Sequence, residues 1–429
     1  MDGIRRLLIV AMGWLCGSVA AQTSQPTTST ADVAAFARLY GVVRYFYPGD
    51  AVQGMNWNRF AVYGVSKVRN AHNSSELAAN LRSLFDPITT GIVIVPTARR
   101  FPTAQPLAEL TQVYWQRVGY ADGVNRYATY QAKRIARPGV FVAIHTVNVD
   151  IDQQRADSAQ LMRPDVALFV ATPPSQRYVE FALGAGLKAR VPIELRDEEA
   201  RSTLAQQQSI ATDAAKPNSL DDNPISIDQR LADIVVSWNV YRHFYPYWQE
   251  VGADWDAQLE PLLAAVDAPA TREVQRDSLR HLVALVQDGH GFVYDPHRPF
   301  GGLSLLLEPV GDALVVVASA DPMVKAGDRV VSINGVDFNA WAMKETSLVS
   351  GSPQWRRWQL AGALNAGPLG TTVSLGLERD GRMFAVTLTY EKQAHKLLPP
   401  KPDPITSLKD GVWYVDITRA SEQDLNDHL

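Results

Sequence analysis

The sequence predicts a multidomain α+β chain with two related helical modules, a β-sandwich-like domain between them and a second small β domain after them. Three observations carry that prediction. The 429 residues suffice for about three or four domains at roughly 100–200 residues each. A helical pattern near residue 40 recurs, in register, near residue 240. Between and after these stretches come β-rich runs separated by turn residues. Hydrophobic residues at 46% and charged residues at 20% are an ordinary globular balance. Lys+Arg 41 against Asp+Glu 45 leaves a net charge of −4, which excludes a global positive field for nucleic acid or an anionic membrane.

The first element is an address. Residues 1–6 hold two arginines, residues 7–15 are uncharged, and Val19-Ala20-Ala21 supplies small residues for cleavage, so 1–21 predicts a signal peptide. The apolar run is shorter than the roughly 20 residues a bilayer span needs. The expectation is export to a periplasmic or extracellular compartment, with no membrane span in the mature chain. Cys16 is the sole cysteine and lies inside the leader, which leaves the mature chain without a disulfide, a zinc–thiolate site or a cysteine nucleophile.

A polar Thr/Ser-rich stretch, 22–31, leads into the N-terminal helical module, 32–100. Phe36, Leu39, Tyr40 and Val43 fall at helical spacing, and the helix should stop before Pro48, since proline disfavours the α conformation of its predecessor. A constant offset of 198 lays this module on a second one, 228–298, without gaps. Arg44 falls on Arg242, Phe46 on Phe244, Tyr47 on Tyr245, Pro48 on Pro246, Trp57 on Trp255, Leu81 on Leu279 and Gly91 on Gly289. Between the modules, β-rich runs at 127–135, 140–149, 166–171, 178–183 and 189–195 predict a β-sandwich-like accessory domain over 105–200. Residues 201–227 read as a polar linker.

Residues 299–392 carry their own signature. Gly301-Gly302-Leu303-Ser304-Leu305 leads into a strand, Val315-Val316-Val317 gives another, and the string 326–335 (AGDRVVSING) follows. Strands at 372–377 and 384–389 close the unit around the hairpin signal Asp380-Gly381. This pattern resembles a PDZ domain of the bacterial peptidase-associated type. The resemblance implies a loop, with Gly302, Leu303, Ser304 and Leu305 as its peptide-binding residues, that offers backbone N–H groups to a terminal carboxylate beside an edge strand that adds a peptide.

At the end of the second helical module stands Leu285-Val286-Gln287-Asp288-Gly289-His290-Gly291-Phe292-Val293. Together with the aromatic-Pro module, the PDZ-like unit and the run 411–417 (GVWYVDI), this order resembles the secreted tail-specific, or C-terminal-processing, serine peptidases, in the branch whose core is like that of tricorn protease. The resemblance covers most of residues 228–429. It implies that 405–429 starts an α/β peptidase core and that His290 is the general base for a serine nucleophile. It also implies polypeptides or C-terminal peptide tails as partners. The family often has Ser where Gly289 stands here. The repeat adds an independent comparison: the first module has Ile92 at the position of His290, so the module does not need an imidazole there to fold. Histidine is also the side chain whose unperturbed pKa suits proton transfer near neutrality.

No Gly-x-Ser-x-Gly elbow, Ser-x-x-Lys pair or His-Glu-x-x-His motif occurs, so the reading includes no metal and no cofactor. Ser421 is followed by eight residues, too few for a parallel sheet whose crossovers take about a dozen each. The expectation is therefore a truncated peptidase lacking its nucleophile. Two alternatives stand beside it: a non-catalytic exported peptide-binding protein, and a carbohydrate binder using Tyr114, Trp115, Tyr120, Tyr127 and Tyr130.

Overall fold

The computed structural model describes residues 28–103, 112–121, 130–135, 140–141, 166–168, 176–201, 224–295, 300–392, 397 and 401–428. The predicted signal peptide at 1–21, most of the predicted linker (202–223) and much of the predicted run 140–149 lie outside the described residues. The chain is a mixed α and β structure with several small sheets, in keeping with the α+β class.

Three α-helices come first among the described residues: α1 (Thr28–Phe46), α2 (Trp57–Val68) and α3 (Ser74–Phe85). The second set is α5 (Ile227–Phe244), α6 (Trp248–Val251), α7 (Trp255–Ala264) and α8 (Arg272–Ala284). Here α4 (Asp197–Arg201) is a short helix that lies between the two sets in the sequence. The offset read from the sequence recurs in the helix boundaries, since α1 and α5 end at Phe46 and Phe244, two residues before a proline. The helices α2 and α7 both start at a tryptophan, after the caps Asn56 and Asp254, whose side chains accept from Arg59 and Ala257 N–H. The buried contacts repeat too: Tyr40 Oη donates to Trp57 O at 3.0 Å, and Trp238 Nε1 donates to Trp255 O at 3.0 Å.

Both helical sets share one hydrophobic core. It runs from Val33 through Phe60 and Leu81 to Trp238, Leu259 and Leu282. Arg69–Asp228 and Arg38–Glu260 ion pairs bridge the sets at its edge.

The strands between the sets feed the same core. β1 (Val93–Pro96), β6 (Tyr178–Gly184) and β7 (Leu187–Pro192) form one antiparallel sheet, with β7 in the middle. β2 (Gln112–Val118), β3 (Gln131–Ile135) and β8 (Glu194–Arg196) form a second, with β2 in the middle. β4 (Val140–Phe141) and β5 (Val166–Ala167) pair in parallel. Val113, Leu183, Leu187, Ala189, Val191 and Leu195 pack into the helical core, so these sheets lean on the helices. The strand at 112–118 was not among the predicted runs, because its Gln and Arg residues mask the alternation.

A second core belongs to residues 300–391. Its main sheet runs β10 (Leu305–Val310), β11 (Ala313–Ser319), β12 (Arg329–Ile333), β15 (Thr372–Arg379), β16 (Arg382–Thr389), with β13 (Val336–Asp337) paired to β12. The predicted Asp380-Gly381 turn joins β15 to β16 with both residues at positive φ. A short ladder pairs β9 (Phe300–Gly302) with β14 (Ala366–Pro368). Two helices that the sequence reading did not place, α9 (Phe338–Ser347) and α10 (Pro353–Asn365), cover the sheet. Both start at side-chain caps, Asp337 and Ser352. The chain continues through an antiparallel hairpin, β17 (Ile405–Lys409) and β18 (Val412–Val415), into α11 (Glu422–His428).

Candidate functional site

The turn that carries His290 is built by the end of α8. Leu285, Val286 and Gln287 N–H groups each reach back three residues, to Leu282, Val283 and Ala284 O, tightening the last turn. Gln287 then takes a left-handed conformation at φ 57 and reverses the chain, a role usually left to glycine. Gly291 N–H closes the next turn on Asp288 O at 2.8 Å.

Asp288 organises the turn. Its Oδ1 accepts the backbone N–H of His290 at 2.9 Å and lies 2.9 Å from the His290 ring Nδ1. The His290 backbone N–H, foremost, holds the Asp288 carboxyl below the usual carboxylate range, and the imidazole adds to this. With Nδ1–H donated to a carboxylate, Nε2 is left as the proton-accepting nitrogen. The imidazole is 99% exposed, so that nitrogen is open among the described residues. Among the described residues, Asp288 is its one hydrogen-bonding partner, and no serine, threonine or cysteine is bonded to Nε2. The sequence placed His290 in the candidate site. It did not assign Asp288 its orienting role, although the spacing Asp-x-His permits it.

The flanking glycines differ in their constraints. A β-carbon on Gly289 would sit 3.5 Å from the Trp355 ring, in ordinary contact. One on Gly291 would meet Val283 Cγ1 at 2.8 Å and the Asp288 carbonyl at 3.1 Å, so the chain there needs glycine. A cleft of about 290 Å³ opens beside this turn, between α8, the 348–350 segment and α10.

The loop predicted to hold a peptide end is tied into its own fold. Gly302 N–H donates to Glu391 O at 2.9 Å, and Leu303 N–H donates to Asn365 O at 3.2 Å. Ser304 O accepts from Ala320 N–H at 3.0 Å, while Leu303 and Leu305 are buried in the second core. The glycines at 301 and 367 answer to packing: β-carbons there would strike the Tyr390 backbone and ring at 2.6 and 2.3 Å. Two of the loop's amide donors are therefore already used. By contrast β10 lies at the edge of its sheet with Pro309 in it, and α10 packs alongside.

Other predicted positions have structural work. Ser421 caps α11: its Oγ donates to Asp424 Oδ2 at 2.6 Å and accepts the Asp424 N–H at 3.1 Å. Trp115 Nε1 donates to Tyr47 O, Tyr114 is buried, and the Tyr120 ring packs edge-on against Tyr45 and Phe244. Of the described aromatics in that group, Tyr130 alone is largely exposed, and Tyr127 lies outside the described residues. Among the described residues no group of three or more His, Cys, Asp or Glu side chains could hold a metal ion. No helix among them is long and apolar enough to cross a membrane.

No protein-family model matches the chain, and no curated protein matches it. Among solved structures, mature CPAF matches with 13% identity and a TM-score of 0.34, over 38% of this chain and 34% of that one. CPAF complexed with lactacystin matches at 12% identity and TM-score 0.33, over 38% and 35%. The photosystem II D1 C-terminal processing protease matches at 18% identity and TM-score 0.22, over 40% and 44%. The matched regions thus span less than half of each of these neighbours.

Proposed function

We propose that this chain belongs to the machinery of exported proteolysis, as a tail-specific serine-type peptidase in which Asp288 orients His290 as general base. The observation that supports this most is the aspartate–imidazole pair at the turn, with the accepting nitrogen open to the outside. A base of this kind takes the proton from a serine hydroxyl as it attacks a peptide carbonyl and returns it to the leaving amine. The chain's own residues account for two of those roles, the base and its orienter. No nucleophile is assigned, and substrate and cellular location follow the motif resemblance.

A second reading has its own support. The open edge of β10 beside α10 suits addition of a polypeptide strand, as in PDZ-type recognition. A chain using only that edge would be an exported, non-catalytic peptide-binding protein. Because Gly302 and Leu303 N–H groups are engaged, this binding would rest on the strand edge more than on a carboxylate cradle.

Incubation of the full chain with an unfolded protein and with peptides bearing free or amidated C-termini separates the two. Cleavage that is blocked by a serine-reactive inhibitor and lost in His290→Ala supports the peptidase with His290 as base and overturns the expectation that the chain lacks its nucleophile. Peptide binding without cleavage transfers the function to the second reading, and cleavage that survives His290→Ala removes the assigned base.

A further inference from the structure

The main sheet around the second core ends in two unlike edges. At one of them, β10 carries Pro309 and a register shift between Leu306 and Leu307. At the other, β16 pairs with β15 through all 8 of its residues without a shift, and among the described residues no strand lies beyond it. Long edge strands are ordinarily blunted by a proline, a bulge or a charge, since their free N–H and C=O groups are a template for another chain. From Met383 to Thr389, β16 has none of these.

The ladder fixes which groups point outward. Ser374 faces the β12 side: its N–H donates to Asn334 Oδ1 at 2.9 Å, and its C=O accepts the Asn334 N–H at 2.8 Å. In an antiparallel strand the N–H and C=O of one residue point to one side, and those of the next residue to the other. Val373, Leu375 and Leu377 therefore bond their partners on β16, which are Leu388, Val386 and Phe384. The N–H and C=O groups of Met383, Ala385, Thr387 and Thr389 are left facing the open edge. All of these residues are exposed, Met383 at 67%, and among the described residues none of their backbone groups is bonded beyond the β15–β16 ladder.

We propose that β16 is a self-association edge, pairing antiparallel with β16 of a second copy of this chain about a two-fold axis at Val386. The spacing favours a copy over an unrelated strand, because residues 383, 385, 387 and 389 are symmetric about 386. In that register Met383 faces Thr389, Ala385 faces Thr387, and every outward N–H and C=O of these residues finds a partner. Charge agrees with the same register. Arg382 falls opposite Tyr390, and the exposed Asp380 falls opposite the exposed Lys392, so no like charges meet. Val386, 8% exposed, meets its own copy, while Phe384 faces Leu388, both partly buried at the rim of the second core. The apolar layer of that core thus continues across the axis.

The test is sedimentation equilibrium of the full chain over a range of concentrations, where a monomer–dimer equilibrium is expected. Thr387→Pro removes an outward N–H and no bond to β15, so the sheet keeps its ladder. Two symmetry-related hydrogen bonds across the axis are lost, and the dimer should weaken at least about tenfold. Lys392→Glu, on an exposed residue outside the strand, guards against misfolding of the proline variant. It sets like charges against Asp380 and should weaken the dimer about threefold to tenfold, and adding Asp380→Asn should return part of that loss. A monomer at every concentration, an assembly that grows past the dimer, or a dimer that Thr387→Pro and Lys392→Glu both leave unchanged would overturn the proposal. So would a chain that stays monomeric yet binds a reduced and alkylated unfolded protein, with that binding lost in Thr387→Pro. None of these readouts uses turnover, so the self-association and the His290 assignment stand or fall separately.

Discussion

Gly41 and Asn239 hold equivalent positions in the two helical repeats and face each other where α1 meets α5. A β-carbon on Gly41 would lie 1.8 Å from Asn239 Oδ1 and 2.8 Å from His243 Nε2. Asn239 uses that closeness, donating from Nδ2 to Ala37 O and to Val235 O, both at 2.9 Å. One repeat thus contributes the space and the other the side chain, so the two copies have diverged at the place where they touch.

Gly41→Ala should therefore destabilise the chain by about 2–3 kcal/mol, an overpacking cost at a rigid helix crossing. Adding Asn239→Ala should return part of the loss. The double variant should be less destabilised than the two single effects summed, read from denaturant midpoints. Strict additivity would mean that the contact is not as close as described.

Burial, with the Glu76 carboxylate adding to it, pushes the Asp32 carboxyl up to about 6. The residue is 1% exposed and its Oδ2 has no hydrogen-bond partner in the protein. A folded-state value above the unfolded one, about 3.9, means that this contribution to stability is complete below pH 4 and is lost as pH rises through 6. Asp32→Asn should remove that dependence and stabilise the protein at pH 7.5, on the order of 1–2 kcal/mol. The difference between variant and parent melting profiles, taken from pH 4 to 8, isolates it. A flat difference would show the carboxyl to be ionised throughout.

His290 should be silent in stability and decisive in chemistry. Its side chain is 99% exposed, so His290→Ala should change the unfolding free energy by less than about 0.5 kcal/mol. Cleavage, where it is observed, should fall about 10²–10⁴-fold, the usual contribution of a general base. Asp288→Asn keeps an oxygen for the His290 N–H but removes the charge that orients the ring, and should cost part of the same factor. A His290 variant that unfolds early would mark the residue as structural instead.

The sequence disclosed much of this architecture because its strongest signals are local. Pro48 and Pro246 fix the ends of α1 and α5, and the tryptophans at 57 and 255 mark the next helix starts, so a repeat was readable from one chain. His290 stood out for the same reason: its counterpart, Ile92, shows what the module needs without it. Non-local facts were not readable. That the two modules fuse into one core depends on how α2 meets α5 and α1 meets α7, which no single periodicity encodes. Asp288 meets the His290 ring in a turn that Gln287, a non-glycine, enters at positive φ, which no sequence pattern announces. The engagement of Gly302 and Leu303 depends on Glu391 and Asn365, far along the chain.

The AGDRVVSING string shows how a motif read for function can be explained by scaffolding. Asp328 is fully buried and takes two hydrogen bonds of 2.6 Å from the Arg379 guanidinium on β15, with a third from Lys325 N–H at 2.8 Å. These donors, Arg379 foremost, hold its carboxyl below the usual range. A depressed folded-state value contributes stability that is present above the unfolded value near 4 and is lost as pH falls through the folded one. Arg379→Ala leaves that buried carboxylate without its main partner and should lower the melting temperature by about 5 °C at neutral pH. The deficit should shrink below pH 4, where the stranded Asp328 can take up a proton. Asp328→Asn, which keeps the shape without the charge, should lose less at neutral pH than Arg379→Ala does. Equal deficits for Arg379→Ala at pH 3 and pH 7 would mean that Arg379 acts through packing on Phe384, over which its guanidinium also lies, and not through the Asp328 charge.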